Sequence, residues 1–196
     1  MLFDIFIQVL GFLGILLAII SVQFNSHKSI VLCKTLAEVP YLIQYVFLGA
    51  WVGMIMGIIG IIRNLIFRKL VSLNKNTKPY IILFCFITLV AGLITIALSW
   101  KETIQIMGRY TPLFSLQIIF AIIFSSLSIF AKIISTIAYG IKEPKTIRTL
   151  NMPSSISWLI YNLVFFSIAG VIHEIMTITS IIVATIRYRN TPKISE

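Results

Sequence analysis

Charged residues are scarce in this chain. Among 196 residues, 16 are Lys or Arg and six are Asp or Glu, so 11% are charged against 59% apolar. Soluble domains carry about a quarter charged residues, and a chain this poor in them could not keep its surface wet. Disorder is excluded by the same numbers, because it needs low hydrophobicity and high net charge density. Cysteine is almost missing. Cys33 and Cys85 both lie inside apolar runs and form neither a metal-ligand spacing nor a disulfide framework. There is no Walker loop, no dinucleotide glycine fingerprint and no Gly-x-Ser-x-Gly elbow, so ATP-driven pumping by this chain alone is excluded. His173-Glu174 has Thr177 at the third helical step, where a zincin has its second His, so no metal site is expected there. No Ser–His pair or paired carboxylates share a face, and neither an enzyme nor a cofactor is expected. Basic residues are not interleaved with aromatics as a single-strand-binding surface requires, which argues against nucleic acid as a partner.

What the chain does have is length in apolar runs. At about 20 residues per crossing, seven crossings use about 140 residues and leave only short loops. The first run, Ile5 to Phe24, starts without a basic segment and reads as a first span rather than a cleaved signal. Residues 29–67 hold only Lys34, Glu38 and Arg63 as charges. As one helix this stretch would reach about 58 Å, twice the hydrocarbon thickness, so it is expected to be a hairpin broken near Leu48-Gly49-Ala50-Trp51. Residues 80–100 give a fourth span, Lys101 to Pro112 a polar loop, and Ile118 to Tyr139 a fifth span. The stretch from Ser154 to Tyr188 is again too long for one crossing, and a break near Gly170–Glu174 divides it into spans six and seven. The expected fold is an all-α polytopic membrane protein of seven transmembrane helices.

The net charge of +10 is read as topology. One set of loops holds Lys28, Arg68, Lys69, Lys75, Lys78, Lys142, Lys145, Arg148, Arg187, Arg189 and Lys193, while the other holds Asp4, Lys101, Glu102, Arg109, His173 and Glu174. The positive-inside rule puts the first set in the cytoplasm, the N-terminus outside and the C-terminus inside. Spans one to three and five to seven share a plan of one helix, a basic turn and a tight hairpin. A shift of 121 residues superposes Gly49 on Gly170 and Arg68 on Arg189. The lone fourth span restores orientation, so two triple-helix bundles (1–70 and 113–196, linked by 71–112) are expected to form parallel 3+1+3 repeats.

Gly11-Phe-Leu-Gly14, Gln44, Leu48-Gly49-Ala50, Arg63-Asn64, Arg148 and Ser157-Trp158-Leu-Ile-Tyr-Asn162 resemble the YgjV-type bacterial inner-membrane proteins. That family is distantly similar to the SWEET and PQ-loop transporters, whose plan is also 3+1+3. Val22-Gln23-Phe24 stands where those have a Pro-Gln pair, and Pro144 keeps a hinge proline after span five. In the SWEET proteins an Asn and aromatics contact sugar, so the resemblance implies a small polar, sugar-like solute at Asn162 and Trp158.

Several residues could line a path. Gly49, Gly53, Gly57, Gly60 and Asn64 share one face of span three, which fits either close helix packing or a sliding surface. Gly11, Gly14, Ala18 and Ser21 form a similar stripe on span one, and the two stripes are expected to meet. In span five, Ala121, Ser125, Ser128, Lys132, Ser135 and Tyr139 form a polar line. Lys132 either faces a cavity or snorkels to the interface. Lys34, Glu38, Tyr41 and Tyr45 share a face of span two, with Lys34 near the interface. Glu38 either pairs with Lys34 one turn away or faces a cavity, where it pairs with Lys132 or binds a proton. Pro40 weakens the backbone there. Trp158 and Asn162, one turn apart, suit a planar or hydroxylated ligand, or Asn162 bonds a neighbouring helix. Arg63 guards the inner mouth or anchors the helix end. Two functions follow: a secondary transporter or facilitator of a small polar solute with its path between the bundles, or a non-transporting scaffold, accessory subunit or receptor. The partners are the lipid bilayer, the solute, and a second copy of the chain or another protein.

Overall fold

The computed structural model describes residues 2–47, 51–164 and 168–188; for residues 2–11, 41, 44–47, 51–53, 102, 168 and 169 it describes the backbone alone. Gly49 lies outside the described residues, as do the side chain of Tyr41 and the surroundings of Gly53. All regular structure among the described residues is helical: α1 Leu2–Gln23, α2 His27–Phe47, α3 Trp51–Ser72, α4 Lys78–Leu98, α5 Trp100–Met107, α6 Phe114–Tyr139, α7 Pro144–Val164 and α8 Ile168–Arg187. Three segments are long and apolar enough to cross a bilayer: Lys78–Leu98, Phe114–Tyr139 and Gly170–Arg187. Phe12–Gln23 is a shorter apolar one. Helices α2, α3 and α7 match these in length, but their apolar character is diluted by polar side chains that turn inward.

The distribution of polarity is that of a protein solvated by lipid. Arg63, Asn64 and Thr136 are wholly buried, and Arg148, Lys132 and Glu174 nearly so. Ile82, Phe86 and Leu98 of α4 are exposed at 72%, 63% and 78%. Hydrocarbon solvates apolar side chains as well as a protein core does, whereas polar groups must find partners inside.

Helix ends follow local chemistry. Helix α3 closes with a Schellman turn in which Asn74 takes φ 51°, the amide of Asn74 bonds the Val71 carbonyl and that of Lys75 bonds the Leu70 carbonyl. Helix α7 starts at Pro144, whose fixed φ and missing N–H suit a first turn. Its first turns are polar, which is why residues 144–153 read in the sequence as loop. Helix α5 falls where a polar loop was expected. Trp100, Thr103, Ile104 and Met107 recur at helical spacing, and Met107 is fully buried where α5 packs on α6. The expected break near Gly170–Glu174 is also corrected, because α8 runs unbroken from Ile168 to Arg187.

Helix α2 packs between α1 and α3, and α7 between α6 and α8; α1 touches α8, α3 touches α6, and α4 bridges α3 and α6. Among the described residues of the α3 stripe, Gly57 faces Leu42 of α2, and Gly60 faces Glu38 of α2 and Lys132 of α6. The ends of α1, α3, α6 and α8 gather with the starts of α2, α4 and α7. Thr77 donates to the Gly140 carbonyl, Lys142 to Asn74, and Tyr188 to the Gln23 carbonyl. Under this end lies an apolar cluster around Ile30, Phe67, Phe84, Tyr139 and Ile147, with the Phe67 and Phe84 rings edge to face at 5.8 Å.

Candidate functional site

The polar line expected on span five is the buried face of α6: Ala121, Ser125, Ser128, Lys132, Ser135 and Tyr139 all turn inward. Facing it, Glu38 projects from α2. Lys132 Nζ lies 3.4 Å from Glu38 Oε1, so the lysine neither snorkels to a helix end nor leaves Glu38 to Lys34 alone. Arg63 Nη2 approaches the same carboxylate oxygen at 3.8 Å. Gly60 makes this meeting possible. A Cβ there would run into Glu38 Oε2 and lie 2.8 Å from Lys132 Nζ, so the α3 backbone forms the floor under the pair.

Arg63 is no surface anchor. It donates through Nη1 to the Thr136 hydroxyl at 2.8 Å and through Nε and Nη2 to Asn64 Oδ1 at 3.0 and 2.9 Å, and its guanidinium lies 5.1 Å from the Tyr139 ring centroid. A rigid fork of donors suits this role better than an ammonium. Asn64 is fully buried beneath Arg63 with Nδ2 unpartnered, behind the cavity wall.

Above the pair opens a cavity of about 140 Å³ between the α1–α3 and α6–α8 groups. Glu38, Lys132, Trp158 and Asn162 all line it, together with Lys34, His173 and Glu174. The Trp158 ring stands edge to face on Tyr161 at 5.4 Å. Asn162 lines the cavity and also presses on the backbone of Gly170 in α8, where an added Cβ would collide with its amide. Gly170 is there for close approach, not for a break.

Three more wall residues stand where the sequence reading did not put them, since it placed Lys34 near the interface and His173 and Glu174 in a loop. Lys34 sits within electrostatic range of Glu174 and Glu38. Glu174 is 7% exposed and takes a hydrogen bond from Ser155. His173 Nε2 is 3.7 Å from the Glu174 carboxylate, and among the described residues no third ligand joins them into a metal-binding group. The signal was available: ionisable groups in an apolar chain gather wherever they can be paired or wetted.

The glycines can be separated by experiment. Gly57→Ala should melt as wild type in detergent, since its Cβ would meet Leu42 at an ordinary 3.5 Å. Gly60→Ala should lower the melting temperature by at least about 4 °C, the equivalent of 1–2 kcal/mol in a chain this size. Equal melting of the two variants would show that the ion pair does not rest on the α3 backbone.

No curated protein and no solved structure matches the chain. A family profile described as Imp-YgjV, bacterial inner membrane protein, matches residues 5–192. With nearly the whole chain matched and its polar groups turned inward from a lipid-facing shell, this protein belongs to the YgjV family of bacterial inner membrane proteins.

Proposed function

We propose that this protein is a secondary transporter or facilitator for a small polar solute, with its path between two triple-helix groups. The observation that carries the reading is the cavity itself: a polar, ionisable chamber in a lipid-solvated protein, walled by both groups. In this reading α1–α3 and α6–α8 are parallel repeats and α4 is the lone linking span, making seven crossings with α5 at the interface. Helix contacts support it, since α1 on α8 and α3 on α6 are equivalent under such a repeat.

A pair of reciprocal contacts adds further support. His27, opening α2, donates through Nε2 to the Tyr139 carbonyl at the end of α6 at 2.9 Å. Arg148, in the first turns of α7, donates to the Val22 and Phe24 carbonyls at the end of α1 at 3.2 and 2.7 Å. Each group thereby caps orphan carbonyls of the other group's first helix. His27 and Arg148 are related by the same 121-residue shift as Gly49 and Gly170. Gln23 to Ser180 at 2.6 Å ties the same end. We read this end, which is basic, as the closed cytoplasmic mouth, with the N-terminus outside. The likeness to SWEET and PQ-loop transporters rests on the short sequence motifs alone, and a sugar-like substrate on that likeness.

Cysteine labelling tests the reading. With Cys33 and Cys85 replaced by Ala, a cysteine at Ser155 on the cavity wall should react with an impermeant maleimide in intact cells and in inverted vesicles, because the path alternates. Cysteines at Lys75 and Lys145 should react in inverted vesicles only. Reaction of residue 155 from a single side would favour the scaffold or receptor role, and labelling of 75 and 145 in intact cells would reverse the orientation.

A further inference from the structure

We infer that the cavity takes a small monocarboxylate anion, of about six non-hydrogen atoms, held by the ammonium groups of Lys34 and Lys132. This deepens the transport reading and rests on it for the claim that the cavity takes a solute at all.

Charge comes first. Lys34 and Lys132 on the cavity wall face Glu38 and Glu174, and Arg63 directly behind adds a third cation, so at formal charge with His173 neutral the cluster carries an excess of one positive charge among the described residues. Arg63 and Lys132 share one carboxylate, Glu38, while Glu174 is the first electrostatic neighbour of Lys34. An unbalanced charge away from water is expensive, and one bound anion removes the imbalance. The excess cannot be satisfied by a neutral polyol or a zwitterion of the same size.

Size and shape come next. A cavity of about 140 Å³ is close to the ~150 Å³ that accommodates a benzene-sized guest. A solute of about six heavy atoms therefore fits within it. Ala18, Ala37 and Met56 line the cavity beside the ammonium groups, so the ligand has an apolar portion as well as a charge. A halide satisfies the charge and leaves this apolar wall without a partner.

Four probes separate charge from size: lactate, alanine and glycerol each have six heavy atoms and carry −1, zwitterionic and no charge, and chloride is the bare anion. Lactate at about 10 mM should raise the melting temperature of the purified full chain by several degrees, with the others giving no shift in a buffer free of chloride and of carboxylates. Lys34→Met and Lys132→Met should each abolish the lactate shift. Should either variant fail to fold, the chain with Trp51→Phe and Trp100→Phe reports through Trp158, whose fluorescence should respond to lactate and not to glycerol. Equal shifts from glycerol or alanine would overturn the anion while leaving a polar-solute cavity. An equal shift from chloride would overturn the carboxylate, and no shift or fluorescence response from lactate would overturn the proposal outright. Lactate binding without uptake into proteoliposomes would instead overturn transport and leave the anion site standing.

Discussion

Glu38→Gln should be the most destabilising neutral substitution in the cavity, by about 3–5 kcal/mol, the range for removing one partner of a buried pair. The reason is that Glu38 serves two cations, Lys132 Nζ at 3.4 Å and Arg63 Nη2 at 3.8 Å, and its removal leaves both facing each other across a low-dielectric space. Lys132→Met should be milder, because Glu38 keeps Arg63. The double variant Glu38→Gln/Lys132→Met should then be more stable than Glu38→Gln alone, since only Arg63 remains, held by Thr136, Ser135 and the Lys132 carbonyl. A double-mutant cycle on unfolding in mixed detergent measures the coupling, expected at about 1–3 kcal/mol. Additivity within about 0.5 kcal/mol would mean that the two side chains do not pair.

Arg148→Met should lower stability by about 1.5–3 kcal/mol, the scale of a charged hydrogen bond, and loosen the end of the bundle where the two groups are tied. Its guanidinium holds the Val22 carbonyl of α1 and the Phe24 carbonyl just past it and lies 4.5 Å from the Tyr188 ring centroid, while the Tyr188 hydroxyl donates to the Gln23 carbonyl. Arg148→Lys keeps the charge without the fork and should fall between wild type and Met. If this end is the closed cytoplasmic mouth, a cysteine at Ser155 should label faster in inverted vesicles of the Met variant. Unchanged melting together with unchanged labelling would reduce Arg148 to a bystander at the helix end.

Much of the fold was legible because lipid imposes one dominant rule on each helix. Apolar length and period alone drew the helices of α1, α4 and α6, and the polar line on α6 is its buried face. The rule misled where polar side chains turn inward or lie at an interface. The first turns of α7 and all of α5 beyond Trp100 read as loop, because hydropathy along one dimension cannot distinguish a polar residue in water from one buried against a neighbouring helix. Gly170 read as a break for a similar reason. A glycine signals either a weak backbone or a close approach, and only the Asn162 amide seated against it decides which.

By itself the sequence determined that this is a helical membrane protein, and that Glu38, Lys132, Trp158 and Asn162 were too polar for lipid and had to be accounted for inside it. That followed from solvation, which depends on residue type. The partners were decided by tertiary structure alone: Arg63 as the second cation on Glu38, Asn64 beneath it, Lys34 and Glu174 on the cavity wall, and Arg148 on the end of α1. Pairing depends on how far each helix is rotated and which neighbour it meets, and those are fixed by packing between segments up to 165 residues apart in sequence.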